Sequence, residues 1–168
     1  MTGKATVLPS PGVYRRAGLA LGLVLGLTAL SADAADLLAT AERSGSFKNF
    51  IHAVRIAGLT RQLKAEGPYT AFMPTDQAFA RVTKSDWDNW KKEPQALARV
   101  LQYHLIRGRV KVTEVKPGSA ASVAGPALVL KSDNGMVTVN GARVTESDLQ
   151  ADNGIIHGID ALLMPPDD

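Results

Sequence analysis

Apolar residues recur at Phe47, Phe50, Ile51 and Val54, with Lys48, Asn49 and Arg55 lying off that series. The i, i+3, i+4, i+7 spacing gathers them on one stripe of a helix and leaves the polar side chains on the other face. Ahead of it, Asp36 can cap a short helix holding Leu37, Leu38 and Ala41, and Ser44-Gly45-Ser46 breaks that helix and offers the next cap. Gly58 ends the second helix, and Leu59 to Lys64 adds a turn or two. Glu66-Gly67-Pro68 is punctuation. Tyr69 to Met73 then reads as a short apolar strand stopped by Pro74, and Thr75-Asp76 caps a short helix bearing Ala78, Phe79 and Val82. Pro94 suits the first position of a further helix, where Leu97, Val100, Leu101, His104 and Leu105 share a face and Gly108 closes the element.

From Arg109 onward the pattern changes to short β-type runs: Arg109–Val115, Ala127–Lys131, Met136–Asn140, Ala142–Thr145 and Ile155–Ile159. Asn134-Gly135 and Asn140-Gly141 sit between runs, the strongest short-range hairpin signal. Helices early and strands late predict an α+β domain rather than alternating βαβ units. No internal repeat and no long linker divides it.

A different pattern opens the chain. Lys4, Arg15 and Arg16 precede an apolar run from Ala17 to Leu30, which ends at Ser31-Ala32-Asp33-Ala34. Positive flank, apolar core and an Ala-x-Ala end predict a cleavable signal peptide over 1–34 and a single domain over 35–168. Fourteen apolar residues fall short of the roughly 20 that span a bilayer. The paired arginines lack the flanks of a twin-arginine signal, so the general export route is expected. Without this segment the charge balance falls from +3 to +1, with 16 Lys and Arg against 15 Asp and Glu. No basic cluster remains, so nucleic acid is not an expected partner. There is no cysteine, hence no disulfide and no thiol-anchored lipid. The exported product is expected in the periplasm or medium of a bacterium, as a monomer without stable membrane insertion.

Chemistry finds little purchase. His52, His104 and His157 are far apart and lack metal-ligand spacing, and no phosphate loop or nucleophile elbow is present. No cofactor, metal or catalytic residue is therefore assigned. His104, on an apolar helix face, suits a core histidine bonded to a backbone carbonyl. His157 and Asp160, three residues apart, could form an acid–base pair of a hydrolase or simply tie a strand end to a turn. Trp87 and Trp90 fall on one side of a short helix among polar residues. An exposed pair could stack on sugar rings; an inward pair would pin the segment to the core.

Four strings in order carry a resemblance. Gly67 to Phe79, GPYTAFMPTDQAF, resembles the first signature of the fasciclin domain family, with its strand around Thr70, its Pro74 and its Thr75-Asp76 before Phe79. Leu101-Gln102-Tyr103-His104 is similar to the family's tyrosine–histidine motif, and Val139-Asn140-Gly141-Ala142 to the strand before the last segment. Asn153-Gly154 through His157 and Asp160 to Pro165 resembles the closing signature. Gly158 departs from it, standing where an apolar β-former is usual, and such a glycine is expected to loosen the last strand.

The resemblance implies a wedge of β-sandwich-like sheets with a group of N-terminal helices packed at one side. It also implies a non-enzymatic adhesion or protein-binding role, with a cell-surface or matrix protein or a polysaccharide as partner. By the same analogy Leu101, Tyr103, His104, Leu105 and Ile106 are the candidate recognition residues. Thr70, Pro74, Thr75, Asp76, Phe79, Asn153, Gly154, His157 and Asp160 are expected to be structural. Whether His104 faces solvent decides between recognition and core packing at the tyrosine–histidine motif.

Overall fold

The computed structural model describes residues 35–166 except residue 66; the expected signal segment lies outside the described residues. Helices α1 (Leu37–Ser44), α2 (Lys48–Ile56) and α3 (Thr60–Lys64) lead into strand β1 (Tyr69–Pro74). Helices α4 (Asp76–Phe79), α5 (Lys84–Lys92) and α6 (Pro94–Tyr103) follow, then β2 (Leu105–Arg107) and a 3₁₀ turn at Val112–Glu114. Strands β3 (Gly118–Ala121), β4 (Ala127–Asp133), β5 (Met136–Val139), β6 (Ala142–Ala151) and β7 (Gly154–Ile159) complete the order. The architecture is α+β, as the pattern predicts.

The strands form one seven-stranded sheet in the order β2-β1-β7-β6-β5-β4-β3. At its centre β1 and β7 run parallel, pairing Tyr69 with Gly154 through Pro74 with Ile159, while the other pairs are antiparallel. Both strands are buried on both faces, as central parallel strands usually are. Ala71, Met73 and Ile156 meet the helices in a cluster built on Leu37, Phe47 and Phe50. Phe72 and Ile159 join Leu128, Leu130, Val137 and Val139 in a second cluster lined by the hairpin strands. Two register shifts bend β6, so its start pairs with β5 and the rest with β7. The sheet thereby curls until its edge strands meet at a single Ile106–Ser122 bridge, reinforced by Val123 N–H on the Leu105 carbonyl at 2.8 Å.

Local signals held where the side chain and its target are neighbours in sequence. Asp36 accepts from Ala39 N at 2.8 Å and Thr75 Oγ1 from Ala78 N at 3.4 Å, each capping its helix. Both Asn-Gly pairs are two-residue turns with positive φ at both positions, 47° and 79° at Asn134-Gly135 and 49° and 84° at Asn140-Gly141. These mirror-image turns match the twist of the flanking strands and favour Asn and Gly, which tolerate positive φ.

Tertiary contacts overrode other signals. Ser46 offers no side-chain cap to α2; instead Asp76 accepts from Asn49 N, 27 residues before it, at 2.8 Å. Helix α6 stops at Tyr103, and Leu105–Arg107 becomes a strand because β1 presents an edge to pair with it. The expected strand at Arg109–Val115 is a loop with one 3₁₀ turn, and β3, with the weak β-formers Gly-Ser-Ala-Ala, went unforeseen.

Gly158 does not loosen β7. A Cβ there would come within 3.2 Å of the Phe47 ring and 3.0 Å of Glu146 Cβ, so the missing side chain is what lets Phe47 lie on the strand. Replacing it by the apolar β-former usual at that place, Gly158→Val, should lower stability by about 1–3 kcal/mol through overpacking. Urea denaturation of the two proteins measures this, and an unchanged or raised midpoint would contradict the packing argument.

Candidate functional site

The five residues of the tyrosine–histidine region are all interior. Leu101, Leu105 and Ile106 are core side chains, Tyr103 is 3% exposed and His104 has no exposed surface. Tyr103 closes α6, where its hydroxyl donates to the Ala127 carbonyl at 3.1 Å and accepts from Asn140 Nδ2 at 2.7 Å. Asn140 Oδ1 accepts from Val129 N at 2.7 Å, so one phenol and one amide fasten α6 to the hairpin strands. His104 caps α6: its Nδ1–H donates to the Val100 carbonyl at 2.8 Å, and Nε2 accepts from Leu163 N at 3.0 Å. Those two bonds require the neutral ring. Burial pushes its pKa down from 6.5 to about 4, against the smaller opposing effect of the Val100 carbonyl. Leu101, Tyr103, His104, Leu105 and Ile106, the expected recognition residues, are therefore all buried in this structure. Apolar neighbours and paired polar atoms make them fold elements.

His157 is used in the same way. Its Nε2–H donates to the Val110 carbonyl at 2.7 Å and Nδ1 accepts from Asp148 N at 3.2 Å, while the ring stacks on Phe72 with centroids 5.6 Å apart. Burial lowers its pKa, opposed by Val110 and by the Asp148 carboxylate 4.0 Å away. Asp160 serves elsewhere, its carboxylate accepting from Arg143 N at 2.8 Å. The hydrolase pairing of His157 with Asp160 therefore fails on geometry, since both ring nitrogens are committed to the backbone.

The two signature segments converge at Asn153. Its Oδ1 accepts from Leu37 N, and its Nδ2 donates to the Leu63 and Ala65 carbonyls, each at 2.8 Å. One amide so joins the start of α1, the end of α3 and the turn into β7. A Cβ on Gly154 would run into the Tyr69 carbonyl oxygen and press Leu37, which leaves only glycine room there. Thr70 Oγ1 donates to the Gly108 carbonyl at 2.7 Å and accepts from Val110 N at 2.9 Å, tying the segment after β2 to β1. Pro74 ends β1, and Phe79 is buried in the helix-side core.

Arg109 and Asp148 had no sequence signal. Arg109 donates to the Ala151 and Asp152 carbonyls at 2.9 and 2.8 Å, and Asp148 accepts from Val112 N at 2.9 Å. Both hold the 109–112 loop against β6 across long sequence separations.

Trp90 is 8% exposed and Trp87 half-buried. Phe79 stacks on Trp87 at 5.6 Å, His52 leans on it at 5.6 Å, and Trp90 meets it edge-on at 5.4 Å. The two indoles thus pack against each other, with Trp90 buried and Trp87 half-buried.

The sequence profile of the Fasciclin domain matches residues 45–165. The chain belongs to the fasciclin domain family. Protein sll1483 of Synechocystis sp. is 36% identical over 136 residues, which cover 80% of this chain and 76% of that relative. Transforming growth factor-beta-induced protein ig-h3 of Sus scrofa is 35% identical, but the match spans 71% of this chain and 18% of its own length. Periostin of Homo sapiens is 32% identical over 72% of this chain and 15% of itself. Among solved structures, a FAS1 domain pair from the insect cell adhesion molecule Fasciclin I has a TM-score of 0.60 at 17% identity, covering 78% of this chain and 51% of that one. That likeness is one of fold. This fasciclin domain thus corresponds to most of a small relative and to one segment of the longer animal proteins.

With these motif side chains turned inward, other residues make up the outer surface. Val129 and Met136 are exposed on the β4–β5 hairpin, 46% and 45%, and Met164 near the end is 59% exposed. One apolar cleft of about 380 Å³ lies beside Trp90 and Met164. Another, of about 530 Å³, opens at the seam of β2 and β3. Among the described residues, the Ser122 hydroxyl is a buried side-chain polar atom without a partner, an arrangement that costs about 1–3 kcal/mol.

Three outcomes follow from this geometry. His104 stays neutral in the fold while the unfolded chain protonates, so full stability is present above pH 6.5 and is lost as pH falls toward 4, by about 3 kcal/mol from this group. His157 adds in the same direction. Denaturation midpoints at pH 7, 5.5 and 4.5 should fall in that order, and the fall should be smaller in His104→Gln. Asn153→Ala should cost about 2–3 kcal/mol through three lost hydrogen bonds, read from urea titrations. Indole fluorescence should stay flat on titration with polysaccharides.

Proposed function

We propose that this fasciclin domain is a non-enzymatic adhesion or protein-binding module acting outside the cytoplasm, in the envelope or medium of a bacterium, as a monomer. Family membership over residues 45–165 carries the reading. The solved domain pair that shares the fold comes from a cell adhesion molecule, which supports it. The Lys4, Arg15 and Arg16 flank before the Ala17–Leu30 run supports export.

The internal commitments of Tyr103, His104 and His157 support a recognition surface on the outer face rather than at the motif. There, Val129 and Met136 sit among Lys131, Asp133 and Thr138 on the β4–β5 hairpin. An exposed apolar residue framed by polar ones suits a weak, rim-type contact with a cell-surface or matrix protein. Affinity would come from many copies presented together rather than from one.

Cells should adhere to a surface coated with the protein several-fold better than to a bare one. A double variant, Val129→Glu with Met136→Glu, should lose most of that difference while keeping its thermal midpoint. If attachment is equal on coated and bare surfaces, and envelope extracts yield no specific partner, the adhesion reading fails.

A further inference from the structure

The seven-stranded sheet curls toward closure, but its edges touch only at the Ile106–Ser122 bridge and the Val123–Leu105 hydrogen bond. The cleft of about 530 Å³ lies beside that contact, between β2, β3 and the 110–116 loop, within the roughly 300–1,000 Å³ of ordinary ligand sites. Ile106, Val110, Val115, Ala120 and Leu130 line it. These side chains already belong to the second core cluster, so the cleft is an extension of the hydrophobic interior to the surface.

Two features lift it above an accident of packing. Ser122 is part of the wall, and its hydroxyl is sealed from water with no partner in the protein. Buried hydroxyls are normally paired, and a serine can turn among three staggered rotamers to meet an incoming oxygen. The second feature is charge. Arg107 and Lys116, both exposed, flank the cleft and make no ion pair with another described residue. Glu114, the acid on the same rim, accepts from Lys111 N at 3.1 Å, and its single negative charge leaves the two cations in excess. An apolar trough with a cationic mouth favours an apolar chain ending in an anionic group.

We propose that the cleft between β2 and β3 binds a single-chain amphiphile with an anionic head, of the fatty-acid class. The chain lies along Ile106, Val115 and Leu130, the carboxylate faces Arg107 and Lys116, and a change of rotamer turns the Ser122 hydroxyl, sealed in the free protein, toward that carboxylate. This site is independent of the adhesion surface on β4–β5.

The test titrates the full chain with cis-parinaric acid, a fluorescent fatty acid, and competes it with oleate and with methyl oleate. Saturable one-to-one binding is expected, displaced by oleate at least tenfold more effectively than by its uncharged ester. Ala120→Trp, which fills the cleft from a half-buried position, should weaken binding tenfold or more with an unchanged circular dichroism spectrum. Arg107→Glu combined with Lys116→Glu should abolish the preference for oleate over its ester. Ser122→Ala should leave the free protein at least as stable and weaken binding several-fold. No saturable binding, or binding indifferent to both Ala120→Trp and the charge reversal, overturns the proposal. Co-flotation with phosphatidylglycerol vesicles without uptake of the monomeric probe also overturns it, pointing to a membrane surface.

Discussion

Strands β1 and β7 run side by side in parallel at the middle of the sheet, and the rest of the molecule is arranged to make that contact possible. Tyr69 pairs with Gly154 and Pro74 with Ile159, so this pairing closes the longest loop among the strand pairs of the sheet. Both are covered on both faces, and all their residues but the half-buried Tyr69 are buried. At their lower end Gly154 lies so near the Tyr69 carbonyl that no side chain fits. The adjoining Asn153 answers the polar groups that the junction would strand, serving Leu37, Leu63 and Ala65 from a single amide. At the upper end Thr75 N–H bonds the Ile159 carbonyl, and Asp76 N–H bonds Ser46. The helices α1 to α4 are thus fixed to the paired strands by hydrogen bonds at both ends and by apolar packing between them.

The two buried histidines extend the same logic to the second half of the domain. A neutral imidazole can donate from one nitrogen and accept at the other, so it joins two backbone segments without carrying charge into the interior. His104 joins α6 to the chain after β7, and His157 joins β7 to the 110 loop and to Asp148. Their ring nitrogens are spent on this work. The curled sheet also explains why a cleft exists at the seam: bending β6 brings β2 and β3 together without enough residues in either to zip the join.

Features written in short segments were legible. The stripe from Phe47 to Val54, the Thr75 cap, Pro94 at the head of α6 and both Asn-Gly turns depend on interactions spanning a few residues. Side-chain spacing or φ preference alone is enough to announce them. The identity of the signature strings was legible too, because the strings stand in order. What they do was not. His104 suits a core from its place on an apolar helix face, but whether Tyr103-His104 faces solvent depends on what packs over α6. Asp76 as the cap of α2, Arg109 as the clamp on the 151–152 carbonyls, and Ser122 as an unpaired hydroxyl all arise between residues distant in the chain. Gly158 looks like a weak point until Phe47 is seen resting on it.

The sequence by itself therefore determined the helix-then-strand order, the hairpin registers and the family. Each of these is set by local conformational preference or by the residues as a string. Only the tertiary structure decided that α6 gives way to β2, that a Gly-Ser-Ala-Ala segment forms β3, and that the tyrosine–histidine motif is interior. Strand pairing and burial are settled by partners brought from elsewhere in the chain. A sheet edge in need of hydrogen bonds can recruit residues whose own preferences point nowhere in particular.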